Sequence, residues 1–265
     1  MVKHTSLAIG VAAAALLGLA ASAHASGIID IDENAFQAGA GLITFSELPQ
    51  GTVNPTYTPG LYGGGAGSPT VTFGGFFVGQ ALGTAGTCPA GAALTGCVVG
   101  NPTGPLAIDP NSPETFITGD SAQLNPPILS GSPTYNGPIA IEFSTPQTGV
   151  GLIGGYFDSA NSTAITAYDA NGNVIGSVTN PTTGDVFLGL VTADHSATIS
   201  GLLFSLVGDE PAGFDVDNIQ FGVGNQVVAP GTPEASTWAM MLAGFAGMGY
   251  VAYRRRNGKT APAAA

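Results

Sequence analysis

The side chains in this chain that can do chemistry are almost all carboxylates. Asp215 and Asp217 stand two residues apart, on one face of any regular strand, and Asp209 and Glu210 lie in the loop before them. Oxygen-only donors of this kind suit Ca2+, and no Lys or Arg between residues 26 and 233 competes for them. The competing reading is that they are solvated turn acids. Asp169, Asn171 and Asn173 reproduce the spacing that opens a Ca2+ loop, but the twelfth position, where a bidentate Glu belongs, is Asn180. Asn171-Gly172 is a hairpin signal, and a turn explains the same residues.

Covalent catalysis finds little support. Gly119-Asp120-Ser121 offers a Ser, but a Ser nucleophile needs a base within hydrogen-bond reach, and His195 is the only His between residues 26 and 233. His195 lies in Ala193-Asp194-His195-Ser196, which predicts an exposed turn. A glycosidase needs only two carboxylates, yet sixteen acids supply some such pair in any fold, so their availability argues nothing. The expectation is a protein that is not an enzyme. Tyr57, Tyr62, Tyr135, Tyr156 and Tyr168 are candidates for stacking on sugar faces, although the same stretch has no Trp.

Charge is distributed very unevenly. The five basic residues are Lys3, Arg254, Arg255, Arg256 and Lys259, and of seventeen acidic residues only Glu234 falls outside residues 26–233. A nucleic-acid partner is excluded, because nothing in the body can displace the counterions of a phosphate backbone. Anionic substrates would find no bidentate Arg there. A divalent cation is the partner this composition admits best, and structural Ca2+ is the one cofactor it suggests.

The elements that must position these groups read as strands. Residues 42–47 alternate and run into a turn at residues 48–51, and residues 70–78 form one strand with a glycine break or two short ones. Residues 79–138 are dense in Gly, Pro, Asn and Ser, and are expected to be loop-rich with short strands. Beyond them the pattern is clear: 139–143, 150–157, 163–168, 174–178, 186–191, 199–207 and 214–221. Strands at this spacing with no amphipathic helix between them predict an all-β antiparallel sandwich.

Both ends differ from the body. Lys3 and His4, an apolar run over 7–21 and Ala23-His24-Ala25 have the three parts of a secretory signal peptide, with cleavage expected after Ala25. In an exported chain, Cys88 and Cys97 predict a disulfide that staples a loop. Residues 226–232 read as a Pro/Gly linker. The apolar stretch that follows, bracketed by Trp238 and Tyr253 and closed by Arg254-Arg255-Arg256, predicts a short transmembrane helix with its basic end cytoplasmic.

Pro233-Glu234, Trp238-Ala239-Met240-Met241, the Gly-rich apolar stretch and Arg254-Arg255-Arg256 resemble the PEP-CTERM sorting signal in its PEPxxWA variety. The same tail is also called the ice-binding protein C-terminal domain. The resemblance covers residues 233–259 and departs from the pattern at Ala235, where Pro is usual. It implies recognition and removal of the tail by an exosortase, a membrane cysteine protease, during surface delivery; the departure leaves open slower processing or a retained anchor. Passengers of such tails are similar to this body in residues 43–45, 168–174 and 213–221, and are jelly-roll-like proteins associated with exopolysaccharide and matrix. Jelly-roll modules that bind carbohydrate often hold a structural Ca2+ between an acid near the first strand and one in the last, the places occupied here by Glu47 and by Asp217 with Asp215.

The expectations are therefore these: signal peptide at 1–25, a jelly-roll-like β-sandwich at 26–225, linker at 226–232, and sorting and anchor segment at 233–259. The chain is expected to be exported and membrane-anchored, at the surface or extracellular after processing. Its role is expected to be structural or exopolysaccharide-associated. A calcium-assisted carbohydrate-binding module is the alternative.

Overall fold

The computed structural model describes residues 27–119, 126–211, 214–228, 241–245 and 248. Eight short strands come first: β1 (Ile28–Asp30), β2 (Gly41–Ile43), β3 (Thr56–Tyr57), β4 (Val71–Gly74), β5 (Ala81–Leu82), β6 (Val98–Val99), β7 (Thr115–Thr118) and β8 (Ile128–Gly131). Seven longer ones follow: β9 (Ile139–Gln147), β10 (Gly149–Phe157), β11 (Thr163–Tyr168), β12 (Val174–Thr179), β13 (Gly184–Thr192), β14 (Ile199–Leu206) and β15 (Asp215–Gly222). They build two antiparallel sheets packed as a sandwich. One runs β1-β13-β10-β15-β8-β7, with β2 also paired to β15; the other runs β12-β11-β14-β9-β4-β3. β5 and β6 form a separate ribbon that carries the Cys88–Cys97 disulfide.

The inner faces meet in one apolar core. Phe45, Tyr57 and Phe73 pack edge to face at one end, with centroids 5.7–6.0 Å apart. Phe204 touches Phe157 and Phe214 at 6.1 and 5.2 Å at the other. Rings of this size dominate the burial energy, at about 1.5–3 kcal/mol for each fully buried side chain. β14 is buried at every position because both of its faces are covered. Leu202 and Phe204 enter the core, whereas Leu203 meets Phe76, Phe77 and Leu106, which fold back over the outer face of that sheet. This double cover is why β14 reads as a nearly continuous apolar run rather than an alternating one.

Some expected strands are shorter than their sequence pattern. Of residues 42–47, pairing stops at Ile43, because Phe45 turns into the core with φ 59° and Glu47 accepts hydrogen bonds from the N–H and hydroxyl of Thr44 at 3.1 and 3.0 Å. Gln226 and Val227, expected to open the linker, pack on the body: Val227 is buried and bridges Phe36 across the outer face of the larger sheet. Residues 241–245 and 248 are helical. No helix among the described residues is long and apolar enough to cross a membrane. The signal peptide and the residues Pro233, Glu234, Ala235, Trp238, Ala239, Arg254, Arg255 and Arg256 lie outside the described residues.

One polar clamp fixes how β11 enters the sheet. The Asn180 side chain is wholly buried, and its oxygen accepts the N–H groups of Ser162 and Thr163, both at 2.9 Å. Its nitrogen donates to the carbonyls of Ser159 and Thr182 at 2.7 and 2.9 Å. Beside it, the buried Glu210 carboxylate accepts from Asp158 N–H and from the Ser162 hydroxyl, the latter at 2.7 Å. Replacing Asn180 by Ala strands the buried N–H groups of Ser162 and Thr163, at about 1–3 kcal/mol each, and leaves a cavity where the amide was. The expected net loss is about 3–5 kcal/mol, read as a lowered urea midpoint with an unchanged m-value.

Candidate functional site

Glu47 and Asp217 are brought together by an interruption in a sheet edge. One edge of β15 is shared end to end: β2 pairs with Ile219, Gln220 and Phe221, and β8 pairs with Val216. Asp217 and Asn218 fall between these partners, at a bulge where the register to β10 shifts and Asn218 takes φ 48°. The bulge keeps Val216 and Ile219 in the core and turns Asp217 to the other face, with Asp215 two residues before it. Glu47 reaches the same gap from the turn that ends β2. Its charge acts on both Asp217 and Tyr57.

The electrostatics of this gap are unusual for acidic side chains. Burial lifts the Asp217 carboxyl to about 6; the charge of Glu47 adds to this, and the N–H of Asn218, 2.7 Å away, works against it. Burial and then Glu47 likewise push the Tyr57 hydroxyl up. The second oxygen of Glu47 and the Tyr57 hydroxyl are both buried without a hydrogen-bond partner among the described residues. Buried oxygens without a partner are rare in folded proteins, and water or a cation is one way of satisfying them. Asp215, although wholly buried on the same face, does not complete a triad: among the described residues no three of His, Cys, Asp and Glu converge as a metal-holding group.

The remaining candidates separate clearly. Asp169 closes the β11–β12 hairpin by accepting from the backbone N–H groups of Asn171 and Asn173 and from the Asn173 side chain, at 2.8–2.9 Å. Its partial burial is outweighed by those bonds, and its carboxyl lies below the usual aspartate value. His195 is exposed in a turn with φ 55°, beside the Asp194–Ser196 hydrogen bonds. Asp120 and Ser121 lie outside the described residues. Of the tyrosines, Tyr57 is sealed in the core and Tyr168 packs on Phe77 with its hydroxyl accepting from Gln80. Tyr62 packs on Phe221 and donates to the Pro69 carbonyl. Tyr135 and Tyr156 are half-buried with ring centroids 6.0 Å apart.

Three residues that matter were not singled out for these roles by sequence reasoning. Asn180 and Glu210 are the buried clamp described above. Phe187 is the other: it lies half-buried on the outer face of the larger sheet, with its ring across Gly151 and Gly189, where any Cβ would collide with it. The only trace of this in the sequence is a glycine two residues beyond the ring, and the second glycine is supplied by pairing to β10.

No protein-family profile matches the chain, and no curated protein matches it. Among solved structures it is similar to the GH26-CBM35 β-(1,4)-mannanase of Podospora anserina, at 14% identity over 63% of this chain with a TM-score of 0.25. This chain spans 29% of the length of that one. A superposition of that quality carries no argument about this protein.

The Asp217 environment makes a pH prediction. An unfolded aspartate titrates near about 3.9. Between that value and the folded value of about 6, the folded chain holds a proton that the unfolded chain has released. Stability from this group is therefore present below about pH 4 and is lost as pH rises through 6, by about 3 kcal/mol for a shift of roughly two units. In chelator, Asp217→Asn should raise the urea midpoint at pH 7 and leave it nearly unchanged at pH 4. An equal change at both pH values would show that Asp217 does not carry the shifted proton.

Proposed function

We propose that this chain is an exported surface or extracellular-matrix protein, delivered by an exosortase through its PEP-CTERM tail, whose body associates with exopolysaccharide without catalysis. The observation that carries this reading is a disulfide-stapled β-sandwich with sixteen acids and no Lys or Arg, set between terminal segments that hold every basic residue of the chain. A jelly-roll arrangement of the body is supported by its strand orders. β2 and β8 together flank β15, then β10 and β13, opposite β9-β14-β11-β12. The chain crosses between the sheets at almost every step from β9 to β15, and only the β11–β12 hairpin stays within one. Against catalysis stands the exposed turn position of His195.

The first test is the intact mass of the native protein from cells with and without the sorting protease. A form lacking residues 1–25 and the region after about Pro233, seen only with the protease, is expected. Retention of residues 238–256 in both strains would make the chain a simple anchored protein. Co-sedimentation of the surface form with the cell's own extracellular polysaccharide should follow. A body that stays in the supernatant would end the matrix reading.

A second reading, a calcium-assisted carbohydrate-binding module, is favoured by the orphaned oxygens at the sheet gap. Glu47 and Asp217 would hold Ca2+, with the Tyr57 hydroxyl beside them. A bound dication would offset the cost of two desolvated carboxylates with no protein cation nearby. Millimolar CaCl2 should then raise the melting temperature at pH 7 more than at pH 4.5, where Asp217 keeps its proton. Glu47→Gln should abolish the increment, and an increment that survives Glu47→Gln would place any calcium elsewhere.

A further inference from the structure

Phe187 is positioned as a platform rather than as core. On β13 it faces away from Leu188 and Leu190, which fill the interior, and its register partner on β10 is the half-buried Ile153, itself paired with Asp217 on β15. The tip of the ring occupies the space a Cβ at Gly151 or Gly189 would need, and Phe36 packs against the ring in a T-shaped contact at 6.3 Å and 74°. The ring is thus held by the room the two glycines leave and by its contact with Phe36.

Phe187 also borders two adjoining clefts, and Asp32 is shared by both. One, of about 250 Å3, runs toward Thr179 and Pro181 at the sandwich edge. The other, of about 620 Å3, is bounded by Glu33, Asn34 and Gln220. Sharing Phe187 and Asp32, the two adjoin as a shallow groove open to solvent; the larger falls within the volume range of ligand sites and the smaller just below it. A shallow, open surface of this kind suits a polymer laid across it, not a small molecule that must be enclosed.

The rim decides which polymer. Asp30, Asp32 and Glu33 are exposed along one wall, and Glu33 accepts from the Gln220 side chain at 3.0 Å, so carboxylate and amide stand side by side. No Lys or Arg occurs between residues 26 and 233 to receive a uronate or a sulfate. An ammonium group meets complementary charge from the wall and can approach the face of the Phe187 ring, where the π quadrupole attracts cations.

We propose that this groove binds a linear polysaccharide bearing free amino groups, with Phe187 as the stacking platform and Asp32 and Glu33 as the charge partners. This rests on the exopolysaccharide reading and supplies its site. The test is calorimetric titration of the full-length protein with a fully deacetylated chitosan hexamer, with cellohexaose as the uncharged comparison. Binding to chitosan that weakens with salt and exceeds binding to cellohexaose at least tenfold is expected.

Phe187→Ala leaves the net charge unchanged, so a tenfold or greater loss in that variant separates the platform from bulk attraction to an acidic protein. Phe187→Trp should bind as well as the wild type. Asp32→Asn with Glu33→Gln should lower affinity and flatten its salt dependence. Unfolding midpoints guard against variants that fail to fold. Equal binding of cellohexaose, or chitosan binding untouched in Phe187→Ala, would overturn the proposal. If Phe187→Ala still co-sediments with native polysaccharide, the groove is refuted while the matrix association stands; if the wild type fails to co-sediment, both fall.

Discussion

Carboxylates in this sandwich must be stabilised without cations, because the described residues contain no Lys or Arg. A buried carboxylate then has three options: backbone and hydroxyl donors, a retained proton, or an external cation. The structure uses the first wherever a turn supplies donors. Glu210 takes Asp158 N–H and the Ser162 hydroxyl, Asp169 takes the amides of its own hairpin, and Asp109 and Asp194 cap Asn111 and Ser196. Glu142 accepts from Ile108 N–H at 3.3 Å, tying the loop over the smaller sheet to β9. The acids thus act as fasteners of loops as well as carriers of charge.

The second and third options arise where the sheet cannot provide donors. Among the described residues, β15 has an unpaired stretch of edge between the ends of β2 and β8, and its bulge at Asn218 gives Asp217 one short backbone hydrogen bond. A neighbouring carboxylate then makes ionisation harder still. The local strain and the perturbed acid have one origin: two short strands where one long one would have paired the whole of β15. Sheet interruptions of this type recur at functional sites because they aim a side chain that a regular ladder would leave aligned with its neighbours.

What was legible in the sequence follows the same division. β11 falls on the expected residues 163–168, and β10, β12, β13, β14 and β15 lie within two residues of their expected bounds, whereas β9 runs four residues beyond the expected 139–143. Periodicity reports local pleat, and these strands are long enough to show it. Between residues 79 and 138, four strands of two to four residues were hidden, since no period is visible over so short a run. Asn180 was seen as a failed calcium ligand, whereas its role is to bond both edges of a chain reversal eighteen residues away. The proximity of Glu47 to Asp217 was legible only through resemblance, and the Phe187 platform not at all, because both depend on cross-strand register.

The apolar cover differs between the two outer faces of the sandwich. The outer face of the smaller sheet is closed over Ala140, Leu203 and Tyr168 by Phe76, Phe77, Leu106 and Ile108. The disulfide loop seals one end of the sandwich, with Ala93 N–H bonded to Glu210 and Gly96 against the Phe214 ring. On the larger sheet, Ile31, Ala35 and Val227 cover the rows around Val191 and stop short of Phe187. On the same face of β13, beyond Gly189, stands the half-buried Phe187, its ring tip in the space left by Gly151 and Gly189. The apolar cover reaches the ring through Phe36 but is not continued between Ile31 and Ala35. Instead the chain turns away through Asp32, Glu33 and Asn34, all exposed, so the wall beside the ring is built from polar groups that stay wet until a ligand displaces the water.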